Sequence, residues 1–271
     1  MPKWGISRGD YAYDEEKNVI AKGLSSVKYM SPQLADDLYT LAHSREFDHF
    51  VDVLYGLDRD TCINSRQLDI LIKLDFFSEF GNQRELLRIN SLFADTFKKG
   101  SAKQLSRQTI DGSPLEELVK KYAVGVTKSG GEAKNYTLFD VRAILIEAED
   151  MIKAAGLPDL DDLAKINHFI EAMGYAGYSS GKEEDRRKLY VTEVWDKRRK
   201  RDGKVWAQGI RTVSVGSGKA AEFTVPEWVS RKCPPALRPG DLIYCREYKQ
   251  DGKYFDLKAY DRLTPQTTSL Q

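Results

Sequence analysis

The stretch GLSSVKYMSPQLADDL, residues 23–38, carries the strongest structural signal in this 271-residue chain. A short apolar turn leads into Lys-Tyr-Met-Ser-Pro, and an amphipathic segment follows. Ser31 can accept a hydrogen bond from the first turn of a helix, and Pro32 suits the first helical position. Leu34 and Leu38 then begin an apolar face at helical spacing. The stretch predicts a tight turn before a helix, which is either a grip for a phosphate backbone or a structural corner between two helices.

Three further helices are predicted before residue 98. Apolar residues at helical spacing indicate one helix over about 47–55 and another over NQRELLRINSLFADTF, residues 82–97. Between them, the side chain of Asn64 can accept a hydrogen bond from the free N–H groups of the helix that follows it. We therefore expect residues 1–97 to form a helical region.

The interval 98–135 is rich in Lys, Gly, Ser and Thr and predicts one short helix. Ser113 and Glu116 have the spacing of a capping box, with Pro114 at the first helical position. The stretch TKSGGEAKN, residues 127–135, is typical of a flexible loop.

Helical periodicity returns in LFDVRAILIEAEDMIKAAG, residues 138–156, and again over about 161–173. The stretch GYAGYSSGKEED, residues 174–185, is interpreted as a linker. We expect the whole interval 98–187 to be a helical connecting region with flexible loops.

After residue 188 the pattern changes to strands. Alternation in KLYVTEVWDK and VWAQGIRTVSVG predicts two strands joined by a turn at Asp202 and Gly203, a strong hairpin signal. A third strand, a short helix and two more strands follow. This order is that of an OB-fold, a small barrel that binds oligonucleotides. The predicted fold class is α+β, with an OB-fold over 188–263 and a tail over 264–271.

Composition excludes several classes of protein. Lys and Arg total 42 against 41 for Asp and Glu, so net charge predicts no partner. No apolar run approaches the roughly 18 residues of a membrane span, and the first residues lack the apolar segment of a signal peptide. Three cysteines without framework spacing suit a reducing cytoplasm. The sequence shows no catalytic constellation and no metal-ligand cluster, so we predict no catalytic residue, metal site or cofactor.

A basic hairpin is the clearest sign of nucleic-acid binding. Nine basic residues lie between Arg186 and Lys204 against three acidic ones, and aromatic residues are interleaved with them. Cations neutralise phosphates, and aromatic rings stack on bases without demanding a sequence. The alternative interpretation is a solvated hairpin tip above buried tryptophans. On the first interpretation, single-stranded DNA is bound by Lys197, Arg198, Arg199, Lys200, Arg201, Lys204 and Trp206.

Two short motifs in the first hundred residues resemble a known family. The first is Gly23-Leu24-Ser25-Ser26-Val27-Lys28, and the second is Asn64-Ser65-Arg66-Gln67-Leu68. With SRGDYAYDEEKNVIAKG upstream, they resemble the region behind the fingers in the alpha subunit of bacterial DNA polymerase III, a C-family replicative polymerase, in its Firmicutes-like form. An OB-fold near the C-terminus belongs to the same family.

This resemblance implies that the opening stretch is a helix-hairpin-helix that holds duplex DNA by backbone contacts, and that the OB-fold holds single-stranded template. Turns of this kind usually read Gly-hydrophobic-Gly, whereas here those places hold Tyr29-Met30-Ser31. Tyr29 would strain a left-handed turn and could block a phosphate. The residues that the resemblance assigns to DNA are Ser25, Ser26, Lys28, Ser31 and Arg66.

The resemblance also implies that the chain is the C-terminal part of a larger DNA-directed DNA polymerase, a nucleotidyltransferase. In that family the palm, whose aspartates bind Mg²⁺, lies upstream, so we expect this chain alone to be inactive. We expect a cytoplasmic protein whose partners are duplex and single-stranded DNA, a sliding clamp and other replisome subunits, with no membrane.

The clamp is implied by a peptide that resembles Gln-x-x-Leu-Phe. Here the peptide reads Asn135-Tyr136-Thr137-Leu138-Phe139, with Asn in place of Gln. Leu138 and Phe139 would then fill an apolar pocket on a sliding clamp. The alternative is that both residues begin the core face of the following helix.

Overall fold

Residues 1–15, 18–98, 101–102, 104–127, 129–252 and 254–263 are described in a computed structural model of the chain. The chain divides into a first unit, Met1–Leu160, and a second unit, Asp161–Gln271. Among the described residues, no helix has the length and apolar character needed to cross a membrane. The predicted tail over 264–271 lies outside the described residues.

The first unit begins with a small hairpin and four helices. The hairpin pairs β1 (Ala12–Asp14) with β2 (Val19–Ala21), and a 3-10 turn (Leu24–Ser26) follows. The helices are α1 (Pro32–Ser44), α2 (Phe50–Asp60), α3 (Ser65–Lys73) and α4 (Gln83–Thr96). The four predicted helices are confirmed. Helix α2 begins at Phe50 rather than near residue 47, because Phe47 packs against Trp4 before the helix starts.

Two of these helices begin where their capping residues predict. The Leu34 N–H donates to Ser31 Oγ at 3.1 Å at the start of α1. At the start of α3, the Gln67 N–H donates to Asn64 Oδ1 at 3.0 Å. The Asn64 N–H in turn donates to Gln67 Oε1 at 2.9 Å, which completes a capping box.

An aromatic cluster packs the start of the chain against the helices. The ring centroids of Trp4 and Phe77 lie 5.3 Å apart, and those of Phe50 and Phe77 lie 5.3 Å apart. The backbone N–H of Trp4 also donates to the Phe76 carbonyl at 3.0 Å. Because buried aromatic side chains contribute large apolar areas, this cluster holds the chain that leads to residues 8–10 in place.

The rest of the first unit alternates short strands with helices. Its strands are β3 (Phe97–Lys98), β4 (Ser101–Ala102), β5 (Gln104–Ser106), β6 (Ala123–Val126) and β7 (Glu132–Leu138). Its helices are α5 (Arg107–Ile110), α6 (Glu116–Lys121) and α7 (Val141–Ala154). The last three strands form a sheet in the order β5-β7-β6. This sheet was absent from the sequence-based prediction of a helical connecting region.

The predicted flexible loop over 127–135 is wrong for its second half. The Thr127 N–H donates to the Gly131 carbonyl at 2.7 Å in a tight turn, and residues 132–135 already belong to β7. Residues along β7 alternate between exposed and more buried positions. Glu132, Lys134 and Thr137 occupy its exposed positions, so the composition of the strand resembles that of a loop.

The predicted capping box of the short helix is also wrong. Helix α6 begins at Glu116, so Pro114 precedes it. The Glu116 carboxylate accepts from the Gly112 N–H at 2.5 Å, and it pairs with Lys120. The Ser113 hydroxyl accepts from the Leu115 N–H at 3.3 Å. Each side chain therefore bonds to a neighbouring residue of the turn, and the reciprocal pair that a capping box needs does not form.

A buried carboxylate joins the two parts of the first unit. Glu149 on α7 is fully buried and accepts hydrogen bonds from the N–H groups of Phe50 (2.9 Å) and Val51 (2.8 Å). The Lys153 ammonium lies 2.7 Å from the same carboxylate. The N-terminus of α2 is thus capped by a residue 99 positions further along the chain.

The second unit contains a closed five-stranded barrel. It begins with α8 (Asp162–Met173) and a 3-10 turn (Glu183–Arg187). The barrel comprises β8 (Lys188–Arg198), β9 (Val205–Ser214), β10 (Ala220–Pro226), β11 (Leu242–Asp251) and β12 (Tyr254–Arg262), with α9 (Glu227–Lys232) after β10. Its strand order is β10-β12-β11-β8-β9, and β10 pairs with β12 in parallel. The predicted α+β class and OB-like barrel are confirmed.

The predicted linker over 174–185 packs on the barrel instead of standing free. The Ser180 N–H donates to the Val215 carbonyl at 2.8 Å, and the Ser180 hydroxyl donates to Asp185 at 2.8 Å. Burial raises the pKa of Asp185, but hydrogen bonds from Lys188 and Ser180 outweigh it and hold the pKa below its usual value. A charged carboxylate therefore fastens this segment to the first strand of the barrel.

Candidate nucleic-acid interface

The helix-hairpin-helix turn, residues 27–31 before α1, contains a residue in the left-handed region. Val27 is buried, and the Met30 N–H donates to its carbonyl at 3.2 Å. Tyr29 has a φ of 68°, a conformation that favours glycine. Tyr29 therefore stands where the motif usually has glycine, and its conformation agrees with the strain expected from the sequence.

Several backbone donors of this turn already have partners. The Leu24 N–H donates to the Arg8 carbonyl at 2.8 Å, and the Ser25 N–H donates to the Gly9 carbonyl at 3.0 Å. The backbone at Gly23 also passes very close to the backbone at Gly9, because a Cβ on Gly23 would lie 2.3 Å from the Gly9 oxygen. The N–H groups at the start of the 3-10 turn are therefore engaged inside the protein and are not free for a phosphate.

The predicted duplex-binding side chains are all on the surface: Ser25, Ser26, Lys28, Ser31 and Arg66. The hydroxyl of Ser26 donates to the Gly23 carbonyl at 2.7 Å, and the hydroxyl of Ser31 caps α1. Because both hydroxyls already form hydrogen bonds within the protein, they are less available to a phosphate. The cationic side chains are the stronger candidates for phosphate contact.

Arg66 is held beside the turn by Tyr29. Its guanidinium carbon lies 3.7 Å from the centroid of the Tyr29 ring. The neighbouring Gln67 donates from Nε2 to the Tyr29 carbonyl at 2.7 Å. The two sequence motifs are thus brought together in space, and a cation–π contact orients Arg66 next to the hairpin.

The basic hairpin lies between β8 and β9. The Arg199 N–H donates to the Lys204 carbonyl at 2.9 Å, and Gly203 adopts a φ of 68°, so the turn predicted at Asp202 and Gly203 is confirmed. Arg198 donates to the Gly203 carbonyl at 3.2 Å and to Asp196 at 3.1 Å. The other exposed basic residues are Arg199, Lys200, Arg201 and Lys204.

Two of the predicted single-strand residues differ from this exposed group. Lys197 is half-buried, and its ammonium donates to Thr224 Oγ1 at 2.6 Å on β10. Trp206 is 40% exposed near the base of the hairpin. Trp206 is therefore accessible to a base and is not one of the buried tryptophans of the alternative interpretation.

The outer face of β8, β9 and β10 adds residues that were not in the predicted site. Arg211 on β9 forms ion pairs with Glu193 on β8 (2.8 Å) and Glu222 on β10 (2.7 Å). The hydrogen bond to Glu222 raises the pKa of Arg211 further above its usual value, so Arg211 stays charged. The indole of Trp195 lies across Gly209, where an added Cβ would come 2.1 Å from the ring.

These residues surround a shallow pocket of about 490 Å³ on the barrel. The sequence holds a signal for it, since Glu193, Trp195 and Lys197 alternate on one face of the predicted strand. The ion pairs themselves could not be predicted, because they depend on the registers of β8–β9 and β9–β10. In OB-folds the face of the second and third strands binds oligonucleotides, and here those strands are β9 and β10.

The two residues of the predicted clamp peptide have different environments. Leu138 is 2% exposed at the end of β7, whereas Phe139 is 65% exposed before α7. The expectation that both begin the core face of the helix is wrong, because Leu138 packs as a strand residue and Phe139 faces outward. Phe139 alone is accessible.

Comparison with protein families supports the first region. A family model described as a helix-hairpin-helix motif matches residues 4–87. This span includes the turn, Arg66 and the aromatic cluster. No curated protein matches the chain. The chain therefore contains a helix-hairpin-helix region and a closed barrel, and the helix-hairpin-helix motif suggests nucleic-acid binding.

Proposed function

We propose that this chain is a DNA-binding part of a replicative DNA polymerase alpha subunit and acts in the cytoplasm. The helix-hairpin-helix region contacts the duplex backbone through Lys28 and Arg66, and the basic hairpin and Trp206 hold single-stranded template. The observation that carries the proposal is the combination of a helix-hairpin-helix match with an OB-like barrel whose hairpin exposes several cations. The polymerase context rests on the resemblance of the Gly23–Lys28 and Asn64–Leu68 motifs.

The parent enzyme would use Mg²⁺ at carboxylates of a palm. In the described ranges of this chain, no group of three or more His, Cys, Asp or Glu side chains is placed to hold a metal ion.

Binding to a primer-template with a single-stranded overhang tests the proposal. Fluorescence anisotropy with the full chain at about 50 mM salt should show binding. The affinity should fall steeply towards about 200 mM salt, because the release of counterions from DNA is less favourable in a more concentrated salt solution. A blunt duplex and an isolated single strand of equal length separate the two modes. Absence of binding to all three DNAs at the lower salt concentration would contradict the proposal for this chain.

A second candidate function is recruitment of a sliding clamp or another replisome subunit. It is favoured by the exposure of Phe139, a large apolar side chain at the surface. Capture of the chain on immobilised clamp should be lost in Phe139→Ala and retained in Met151→Ala, which truncates another exposed apolar residue. If both variants are captured equally, Phe139 is not the contact.

A further inference from the structure

The pocket on the outer face of the barrel differs in charge from the basic hairpin. It is lined by Trp195, Thr192, Val194, Pro239 and the ion-paired set of Arg211, Glu193 and Glu222. A single guanidinium faces two carboxylates, so this set carries a net negative charge. A phosphate group would be repelled there, whereas a neutral ring with N–H donors would be accepted.

The donors and acceptors left in the pocket are specific. Arg211 donates from Nη1 to Glu193 Oε1 at 2.8 Å, and from Nη2 (2.7 Å) and Nε (3.2 Å) to Glu222 Oε1. In the part of the chain that the structure describes, these bonds use three of the five N–H groups of a guanidinium. Two donors remain, together with the second oxygen of each carboxylate.

An aromatic platform lies next to these groups. Trp195 and Gly209 pair across β8–β9, two residues further along from Glu193 and Arg211, so both pairs share one face of the sheet. The indole covers Gly209 and is half-buried, and it forms part of the pocket lining. A base that stacks on Trp195 would bring its edge to the carboxylates and the guanidinium.

We propose that this pocket selects a guanine base in single-stranded DNA. Guanine offers two adjacent N–H donors, N1 and N2, to Glu193, whose Oε1 accepts one bond from Arg211 and so keeps a second lone pair beside the unused Oε2. Guanine O6 and N7 accept from a guanidinium. Thymine has one N–H donor, and cytosine and adenine each have one amino group without an adjacent ring N–H, so none of the three matches both sets of groups. This inference rests on the proposed single-strand binding and adds a base preference to it.

Oligonucleotides that differ in one base test the preference. The full chain should bind a strand of thymidines with one central dG about tenfold more tightly than the all-thymidine strand, since a bidentate base contact gives discrimination of this order. A central dA or dC should give no such gain. Replacing the guanine by hypoxanthine, which lacks the N2 amino group, or by 7-deazaguanine, which lacks N7, should each remove part of it.

Two variants separate base reading from general affinity. Glu193→Gln and Glu222→Gln, together, should bring the dG and all-thymidine affinities to within about twofold, because a neutral amide is a weaker acceptor and its NH₂ group opposes the guanine N–H donors. Glu227→Gln with Glu247→Gln, which changes two exposed carboxylates outside the pocket lining, is the matched control and should keep the preference. Trp195→Ala should weaken binding of every strand, since it removes the stacking surface.

The outcomes distinguish this inference from the function on which it rests. Salt-dependent binding with equal affinity for the dG and all-thymidine strands overturns the guanine pocket and leaves single-strand binding intact. If neither the dG strand nor the all-thymidine strand binds at low salt, both the guanine pocket and single-strand binding are overturned. If free guanosine monophosphate binds as tightly as the dG strand, the pocket is a nucleotide site and its assignment to DNA is wrong.

Discussion

The helix-hairpin-helix turn and the basic hairpin of the barrel, the first and second hairpins below, use their backbones in opposite ways. In the first, the N–H groups of Leu24 and Ser25 bond to carbonyls of Arg8 and Gly9, and the turn is fixed against the start of the chain. In the second, the backbone bonds close a local turn, and the cations around it remain exposed. The first hairpin is an anchored corner, and the second presents free charge.

This difference shows that a match to a motif and a capacity to bind phosphate are separate properties. A helix N-terminus attracts an anion only through N–H groups that lack another partner. Under the proposed function, DNA contact at the helix-hairpin-helix turn would therefore depend on Lys28 and on Arg66, which lies over the Tyr29 ring. At the basic hairpin of the barrel, it would depend on several side chains that need no particular backbone geometry.

The largest effect that we expect comes from reversing charge on the barrel hairpin. Replacement of Arg198, Arg199 and Arg201 by Glu should lower the affinity for single-stranded DNA by about 100-fold, because three cation–phosphate contacts become repulsive. The measurement is anisotropy at fixed salt, with the slope of log K against log salt recorded for each protein.

Equal reversal elsewhere on the barrel is the control. A control variant replaces three exposed basic residues by Glu, and so changes the net charge by the same amount: Arg231, Lys232 and Arg238. A similar loss of affinity in this control would show that overall charge, and not the hairpin, decides binding.

A smaller effect is expected from adding a methyl group to the anchored hairpin. Gly23→Ala should lower the free energy of unfolding by about 2 kcal/mol, since its Cβ would overlap backbone atoms of Gly9 and Asp10. Gly203→Ala should cost about 1 kcal/mol, the cost of its positive φ alone. Its Cβ would meet no atom of the described residues within 4 Å.

Urea denaturation and amide hydrogen exchange measure this difference. Protection should fall around residues 4–38 in Gly23→Ala and around the β8–β9 turn in Gly203→Ala. Equal costs for the two variants would contradict the distinction between an anchored and a free hairpin.

The smallest effect should come from the charges beside the first hairpin. Lys28→Glu with Arg66→Glu should weaken duplex binding by about tenfold and leave single-strand binding within about twofold, because only two phosphate contacts are affected. The matched control is the double substitution Arg84→Glu with Arg88→Glu, at two exposed residues of α4. An unchanged duplex affinity would show that the first hairpin is purely a structural corner.

Local signals in the sequence were sufficient for many elements of this fold. Ser31 and Asn64 mark the starts of α1 and α3, and Asp202 with Gly203 marks the β8–β9 turn. Each works through hydrogen bonds or backbone preferences within a few residues, so the sequence alone contains the information. The three-stranded sheet around β7 was missed because its polar residues resemble a loop in composition.

The sequence by itself determined the helix starts, the strand alternation and the number of basic residues in the hairpin, since these depend on neighbours along the chain. Only the tertiary structure decided which donors are free and which charges are neutralised. Glu149 reaches the N–H groups of α2 across 99 positions, and the Arg8 and Gly9 carbonyls occupy the donors of the first turn. Arg211 likewise meets its two carboxylates only through strand register. Such contacts join residues that are distant in sequence, so no local pattern specifies them.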